Sequence, residues 1–164
     1  MNTQATFSDK LQKIFSEYLK NKNLRHTVER DAIFCKVCGT TELFTMDMIW
    51  QQLENENFHV SRASIYNTIE LLIDAKIVVR HSFSYTNVLY ELKHIADEHH
   101  YMVCTNCGAV RTVENEKFNN ILAGFKIPKF TPEYYKLNIY GLCSKCKYKQ
   151  MREEVKKRKK NEES

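Results

Sequence analysis

Four of the six cysteines form two C-x-x-C pairs late in the chain. Cys104 and Cys107 make the first pair, and Cys143 and Cys146 make the second. Two thiolates in one tight turn reach a single ion at a Zn–S distance of about 2.3 Å, and two such turns complete a tetrahedron. A closed four-thiolate site has no open position for water, so the pattern predicts a structural zinc ion. Two pairs in one small module favour zinc over the alternative of unrelated buried or redox thiols.

Cys35 and Cys38 have the same spacing, but no further pair remains to complete a tetrahedron with them. Both lie inside a predicted helix. We interpret them as small, buried or half-buried apolar side chains. The alternative is a thiol switch, or a contact with haem or a metal.

Histidines and carboxylates cluster between residues 91 and 100. Neutral imidazole together with carboxylate is a ligand set for Fe²⁺, Mn²⁺ or Zn²⁺. One hypothesis for this segment is a regulatory metal site, and a solvated polar linker is the other. The candidate ligands are Glu91, His94, Glu98, His99 and His100.

The helical spacing of apolar residues predicts four helices in the first half of the chain. Polar residues that can cap a helix precede each of them. The predicted helices begin at Ser8 or Asp9, at Thr27, near Thr45 and at Ser61, and they end at residues 21–23, at Gly39, after residue 53 and at Ala75.

After residue 75 the period changes to that of β-strands. Residues 77–83 and 88–92 predict two strands, which a turn at residues 84–87 joins. Short helices followed by a β-hairpin are typical of a winged helix-turn-helix, and the fourth helix would then be the recognition helix. Its first turns offer donors to phosphates and base edges, and basic residues near the first helix offer further phosphate contacts. The predicted DNA contacts are Ser61, Arg62, Ser64, Tyr66, Asn67, Lys20, Lys22 and Arg25.

The rest of the chain predicts a small α/β module. Residues 101–103, 109–113 and 134–140 have the pattern of strands, and residues 118–125 have that of a short helix. A module of roughly 45 residues is near the size at which a metal or a partner chain is needed for stability. The predicted fold class is therefore α+β, with an N-terminal winged helix-turn-helix and a small α/β domain that holds the four cysteines.

The composition of this 164-residue chain is that of a globular protein, with 43% hydrophobic and 27% charged residues. No apolar run approaches the roughly 20 residues of a membrane span, and the N-terminus lacks the apolar core of a signal peptide. We therefore expect a cytoplasmic protein without a membrane partner. The net charge is +5, of which +4 lies in residues 147–164, so DNA binding by the folded part requires local placement of charge. No Ser/His/Asp or Cys/His pattern, glycine-rich phosphate loop or open zinc site predicts an enzyme.

Five motifs occur together along the chain. They are Leu24-Arg25-x-Thr27-x-x-Arg30, Val60-Ser61-x-Ala63-Ser64-Ile65-Tyr66-Asn67-Thr68-Ile69-Glu70-Leu71-Leu72, Tyr90-Glu91-Leu92, Val103-Cys104-x-x-Cys107-Gly108 and Leu137-x-x-Tyr140-Gly141-x-Cys143-x-x-Cys146. With these motifs the chain resembles the ferric uptake regulator (Fur) family of bacterial transcription factors over about residues 10–146. The resemblance implies a homodimer, a pseudo-palindromic operator in double-stranded DNA, structural zinc at the four cysteines, and repression of iron, zinc or peroxide genes.

The order of the predicted elements and the polar, weakly periodic stretch at residues 93–100 also predict a domain organisation. A winged-helix DNA-binding domain would occupy residues 1–92, and a hinge would follow at residues 93–100. A zinc-stabilised dimerisation domain would occupy residues 101–150, and residues 151–164 would be a basic tail.

The regulatory metal site of the family is matched only in part. Glu91 stands at the acid position where the wing ends, and His99 lies five residues before Cys104. Residues without an imidazole or a carboxylate stand at the other expected ligand positions, which are Leu43, Tyr101 and Thr112.

The sequence therefore predicts a dimeric DNA-binding regulator, a repressor of metal homeostasis genes (iron or haem, zinc, or peroxide), with a degraded or altered regulatory site. A second divalent ion (Fe²⁺, Mn²⁺ or Zn²⁺) held by substitutes such as His94, Glu98 or His100, haem, and no effector at all are the open options. The alternative function is a zinc-stabilised protein-interaction module without metal-responsive DNA binding, which would use the basic tail as its docking arm.

Overall fold

The chain divides into two compact units, Met1–Ala96 and Asp97–Ser164. The division falls inside the predicted hinge. In the described ranges, no helix combines the length and the apolar composition that a membrane span needs. The computed structural model describes residues 3–83, 88–113, 120–121, 124, 126–131 and 137–162.

The described part of the first unit contains four helices of at least 10 residues, a β-hairpin and a final single-turn helix. In chain order they are α1 (Thr3–Asn21), α2 (Val28–Cys38), α3 (Met46–Asn55), α4 (Arg62–Asp74), β1 (Val78–Ser82), β2 (Val88–Leu92) and α5 (Lys93–Ala96).

Capping side chains fix the starts of α2, α3 and α4. The Oγ atoms of Thr27, Thr45 and Ser61 accept hydrogen bonds from backbone N–H groups three residues further on, at N···O distances of 3.2, 3.2 and 2.9 Å. Each bond satisfies a donor that the first turn of a helix would otherwise leave unpaired. The helix starts predicted at Thr27 and near Thr45 and the N-cap predicted at Ser61 are therefore confirmed.

The predicted start of α1 is wrong. The helix begins at Thr3, so Ser8 and Asp9 lie inside it and do not cap it. The segment before them contains neither Gly nor Pro, so nothing in its chemistry prevents the helix from extending towards the N-terminus. The predicted end is confirmed, because α1 stops at Asn21 and Asn23 has a φ of 55°, a left-handed conformation incompatible with a continuing helix.

The core of the first unit lies between the apolar faces of α1–α4 and the hairpin. Phe15 of α1 stacks on Phe34 of α2 with ring centroids 5.3 Å apart. Leu19 of α1 and Ile69 and Leu72 of α4 are completely buried. Burial of each such side chain contributes about 1.5–3 kcal/mol to folding. This packing anchors α4 by one side and leaves its polar side facing outward.

The β-hairpin forms the wing. β1 and β2 are antiparallel, with Val78 opposite Leu92, and both lie within the predicted strand segments. Phe44, just before α3, forms a bridge with Tyr90 through reciprocal N–H···O bonds of 2.9 and 2.8 Å. The wing is therefore joined to the helical part through the backbone as well as through the core. The predicted turn at residues 84–87 lies outside the described residues.

The second unit contains a three-stranded sheet and a long helix in its described ranges. The central strand β3 (His100–Cys104) is antiparallel to β4 (Val110–Val113) and parallel to β5 (Asn138–Gly141). The helix α6 (Ser144–Glu162) begins at the second cysteine pair and continues without a break over residues 151–162 of the predicted basic tail.

The sequence prediction for this unit is confirmed where it can be compared. β3 and β4 correspond to the strands predicted at residues 101–103 and 109–113. β5 covers the end of the strand predicted at residues 134–140, whose first residues lie outside the described ranges. The predicted helix at residues 118–125 also lies largely outside them.

Candidate metal centre and DNA-binding surface

The second unit brings the four predicted zinc ligands together. Cys104 ends β3, Cys107 lies in the turn after it, Cys143 precedes α6, and Cys146 lies in the first turn of α6. All four Sγ atoms lie within 4.8 Å of one another, and those of Cys107 and Cys143 are 3.9 Å apart. In a tetrahedron with Zn–S bonds of about 2.3 Å, the sulfur atoms stand about 3.8 Å apart. The donor set and its spacing therefore fit a zinc ion.

Backbone hydrogen bonds shape both cysteine turns. The N–H of Gly108 donates to the C=O of Cys104 at 2.9 Å, and Gly108 has a φ of 70°, which glycine adopts without a steric penalty. In the second turn the N–H of Lys147 donates to the C=O of Cys143 at 2.9 Å. The N–H of Cys143 also donates to Sγ of Cys104 at 3.3 Å, which ties the two turns to each other.

The pKa values of the two buried thiols, those of Cys104 and Cys146, are shifted in opposite directions. Hydrogen bonds from the backbone of Cys143, and then of Cys107, lower the pKa of Cys104 to about 6, so this thiol is ionised at neutral pH. A hydrogen bond with the Asn106 side chain lowers the pKa of Cys146. The contact with the Cys143 thiol, burial and the remaining thiols outweigh that bond and raise this pKa to about 11. Because zinc binds thiolates, loading the site releases the protons that remain.

The first turns of α4 present the predicted DNA contacts to solvent. Ser61, Arg62 and Asn67 are exposed, and Tyr66 is 52% exposed. Ile65, between them, is buried and holds this end of the helix in the core. A groove of about 580 Å³ runs along this surface between α3 and α4, and it is lined by Met46, Asp47, Trp50, Arg62, Ala63, Ile65, Tyr66 and Asn67.

Acidic side chains contact two of these predicted DNA-binding residues, Arg62 and Ser64. Arg62 forms an ion pair with Asp47 of α3, and its guanidinium carbon lies 4.7 Å from the centroid of the Trp50 ring. Ser64 Oγ donates a hydrogen bond to Oε2 of Glu29 at 2.8 Å. A phosphate that binds Arg62 or Ser64 therefore has to replace a carboxylate.

The three basic residues predicted to contact the DNA backbone lie at and just after the end of α1. Lys20, Lys22 and Arg25 are all exposed. The ammonium group of Lys22 lies 5.9 Å from the centroid of the Tyr18 ring. Exposure makes these side chains accessible to a phosphate backbone, and their contact with DNA stays a prediction.

Comparison with known proteins identifies the family. The sequence profile of the Ferric uptake regulator family matches residues 21–140. The chain belongs to the ferric uptake regulator family. Proteins of this family are metal-responsive transcription regulators, and this is the functional class to which the chain belongs.

Individual relatives span most of the chain. The ferric uptake regulation protein of Campylobacter jejuni is 26% identical over 146 residues, which cover 84% of this chain and 89% of that protein. The peroxide operon regulator of Bacillus subtilis is 26% identical over 140 residues, which cover 82% and 92%. The Helicobacter pylori ferric uptake regulator, described with three functional metal binding sites, has a TM-score of 0.67 at 12% identity and coverages of 85% and 93%. The fold of this ferric uptake regulator family member is therefore shared across a wide sequence distance.

The candidate regulatory ligands are divided between the two units. In the first unit Glu91 is buried in β2, and His94 on α5 is exposed. In the second unit Glu98 is exposed, His100 is buried, and Nδ1 of His99 is buried without a hydrogen-bond partner among the described residues. In the described ranges only the four cysteines form a group of three or more potential ligands within 4.8 Å of one another. A regulatory metal at the histidines stays a prediction.

The wing also contains a histidine that the sequence analysis does not single out. His81 is 2% exposed, and its Nε2 atom lies 3.2 Å from Oε2 of the equally buried Glu91. In the hairpin register His81 stands opposite Leu89 and Glu91 stands opposite Val79, so the two are diagonal neighbours on one face. The period-two pattern of β1 is the signal that would have placed His81 on the buried face.

The remaining cysteines lie on α2 and differ from each other. Cys38 is half-buried, and burial, with a smaller effect of the neighbouring Cys35 thiol, raises its pKa to about 12. Cys38 therefore behaves as the predicted apolar side chain. The prediction is wrong for Cys35, which is exposed because it lies on the outer side of the same helix.

Proposed function

We propose that the protein is a homodimeric, zinc-stabilised transcriptional repressor that reads a pseudo-palindromic operator with α4. The observation that carries the proposal is the outward-facing start of this helix, where Arg62, Tyr66 and Asn67 are exposed while Ile65 and Ile69 are buried. Membership of the ferric uptake regulator family supports metal homeostasis genes (iron or haem, zinc, or peroxide) as its targets. The protein would act in the cytoplasm, and its function involves no catalysis.

The chemistry at the start of α4 suits both parts of DNA recognition. Arg62 and Ser64 offer donors to phosphate oxygens, and the positive end of the helix dipole supports an anion there. The amide of Asn67 can bond to an adenine edge, and the ring of Tyr66 can contact a thymine methyl group. The first pair of contacts would position the helix, and the second pair would supply sequence selectivity.

The four-cysteine centre has a structural role in this proposal. A site with four protein ligands leaves zinc no exchangeable position, so its binding free energy contributes to folding of the second unit. In the proposal, two such units join the chains of the dimer. The dimer would present two copies of α4 to half-sites about 34 Å apart, one turn of DNA.

The proposal includes an altered regulatory site. Leu43 is half-buried and Thr112 is exposed, and neither offers an imidazole or a carboxylate. Tyr101 is buried and carries only a phenol. Glu91, the matched acid, already contacts His81. Three possibilities for the effector remain. They are a divalent ion bound by a substituted ligand set, haem, and no effector at all.

Selection of bound duplexes from fragmented genomic DNA, followed by footprinting, tests the proposed function. We expect the zinc-loaded protein to enrich fragments with two inverted half-sites and to protect both of them. Light scattering should give the mass of two chains for the free protein. A protein that enriches no fragment over random duplex would contradict the proposal and favour the protein-interaction module instead.

A further inference from the structure

A second basic groove lies in the C-terminal unit, between α6 and the four-cysteine centre. Its volume is about 820 Å³. Five basic side chains and one carboxylate, that of Glu153, are among the residues that line it. The basic residues are Arg111 of β4 and Lys145, Lys149, Arg152 and Lys156 of α6.

The four basic residues of α6 form one stripe. They follow each other at steps of four, three and four residues, which places them on the same side of an α-helix. From Lys145 to Lys156 the stripe is about 16 Å long at 1.5 Å per residue. The cations of α6 therefore form a row along the groove and do not converge on one point.

The zinc site accounts for only part of this charge. Four thiolates and one Zn²⁺ ion leave a net charge of −2, which two cations are enough to offset. Lys145 lies between Cys143 and Cys146, and Arg111 lines a neighbouring cavity with Cys104 and Cys143, so these two can fill that role. Lys149, Arg152 and Lys156 remain, and among the described residues that line the groove Glu153 is the one carboxylate.

The remaining cations, Lys149, Arg152 and Lys156, are exposed. Within the described ranges none of Lys149, Arg152 and Lys156 forms an ion pair. The guanidinium carbon of Arg152 lies 5.7 Å from the centroid of the Tyr148 ring, so a cation–π contact orients it. An oriented guanidinium loses less side-chain entropy when it binds an anion.

We infer that this groove binds the phosphate backbone of double-stranded DNA, as a contact surface separate from the start of α4. The inference rests on the proposed function. One DNA strand carries a phosphate every 3.4 Å along the axis, and Lys149 to Lys156 extend over about 10 Å at 1.5 Å per residue, so these three cations span roughly three phosphates. A row of cations suits such a linear anion better than a small one, which needs donors converging on one point. Contacts of this kind add affinity without adding sequence selectivity.

The test compares two triple variants of the full-length, zinc-loaded protein. K149Q/R152Q/K156Q removes three of the five basic side chains that line the groove, whereas K147Q/K157Q/R158Q removes the same number and types of charge from other sides of α6. Binding to a 40-base-pair duplex of random sequence and to a selected genomic fragment is measured by fluorescence anisotropy as a function of salt. Zinc content and the circular dichroism spectrum verify that both variants are folded.

We expect the groove variant to lose about tenfold or more in affinity on both duplexes, and its salt slope to fall by about 2.7, or 0.9 for each lost phosphate contact. The control variant should lose clearly less. Equal losses in both variants, an unchanged slope in the groove variant, or no binding of the parent to either duplex would overturn the inference. Groove-dependent binding to vesicles of anionic lipid, with DNA binding unaffected, would overturn it in favour of a membrane surface.

The outcomes separate this inference from the proposed function. If the parent binds random and genomic duplexes equally, sequence-specific regulation fails. In that case DNA binding by the groove would still show as a loss of random-duplex affinity in the groove variant and not in the control variant.

Discussion

A single carboxylate holds the arginine at the start of α4. Arg62 pairs with Asp47, and its guanidinium packs over Trp50. Because the two charged side chains are 67% and 62% exposed, their pair contributes only about 0–1 kcal/mol to folding. In the proposed complex the same contact would oppose DNA binding, since a phosphate at Arg62 would have to take the place of Asp47.

This arrangement predicts opposite effects for the two partners. We expect Asp47→Asn to raise DNA affinity by about two- to fivefold, because up to about 1 kcal/mol no longer has to be given up. Arg62→Ala should lower affinity on every sequence and reduce the salt slope by about 0.9, the value for one phosphate contact. Anisotropy titrations over a salt series measure both. Asp9→Asn, at an exposed acid on α1, is the matched control, and equal gains in both Asn variants would contradict the role of Asp47.

The zinc ligands allow a second residue-level prediction. Cys143 supplies an Sγ atom to the centre and an N–H to the Cys104 sulfur. We expect Cys143→Ser to lose the zinc, and the second unit to lose thermal stability with it, because zinc binding free energies of about 10–16 kcal/mol in comparable peptides are folding free energies.

Metal analysis and thermal unfolding check this prediction, with Cys35→Ser as the control. Cys35 is an exposed thiol outside the centre, so its replacement should leave one zinc ion per chain and an unchanged melting temperature. A Cys143→Ser protein that keeps one tightly bound zinc and melts like the parent would show that the centre does not hold the ion.

At the scale of elements, local chemistry was enough to predict most boundaries. The starts of three helices could be predicted from Thr27, Thr45 and Ser61, because the capping hydrogen bond joins atoms only three residues apart. The same reasoning failed at Ser8 and Asp9, where residues that can cap a helix are also tolerated inside one. The two cysteine turns were predictable because their spacing is itself the geometric requirement of the ion.

Contacts between elements could not be predicted in this way. The His81–Glu91 contact depends on the register of the hairpin, which brings the residues together diagonally. The ion pair between Arg62 and Asp47 depends on how α3 packs against α4. The spacing of the residues along the chain predicts neither contact. The ion pair of Arg62 on the candidate DNA-binding surface could therefore be found only from the fold.

The division of α4 into a buried and an exposed side yields a prediction for the helix as a unit. Tyr66 is 52% exposed, whereas Ile69 is completely buried. Tyr66→Ala should therefore weaken binding to the selected operator by about tenfold, a loss within the 1–3 kcal/mol of one good base contact. The free energy of unfolding of the Tyr66→Ala protein should change by no more than about 0.5 kcal/mol. Ile69→Ala should instead lose about 2–5 kcal/mol of stability.

Urea unfolding and operator binding of both variants separate the two sides of the helix. The Tyr66→Ala protein should unfold at the same urea concentration as the parent and remain dimeric. If it proves as unstable as Ile69→Ala, Tyr66 serves the core and not the DNA.

At the scale of the whole chain, charge and recognition chemistry lie in different units. Residues 147–164 carry +4 of the net charge of +5, and residues 147–162 of this segment form most of α6 in the second unit. The start of α4, with the side chains proposed to contact DNA bases, lies in the first unit, where acidic partners hold Arg62 and Ser64. Affinity and selectivity for DNA are thus expected to respond to different substitutions, and salt should weaken the contribution of α6 most.

The regulatory response is the last property that belongs to the whole molecule, since its candidate ligands come from both units. Leu43 and Thr112 supply neither imidazole nor carboxylate, and Tyr101 offers only a phenol, which is a poor ligand for a divalent ion. Fe²⁺ binds weakly in the Irving–Williams order, so the loss of ligands affects it more than zinc. We therefore expect DNA affinity to depend little on added Fe²⁺ or Mn²⁺.

An anaerobic Fe²⁺ titration of DNA affinity, on protein that retains its cysteine-bound zinc, measures this dependence. The parent is compared with a His99→Ala/His100→Ala variant and with a control, His26→Ala/His59→Ala, which removes two exposed histidines that pair with Asp31 and Glu54. A flat response in all three proteins is the expected result. A steep micromolar response of the parent and the control that vanishes in the His99→Ala/His100→Ala variant would mean that these histidines rebuild an iron site. Glu91 would then have to exchange its contact with His81 for the metal, or leave the site to Glu98 and His94.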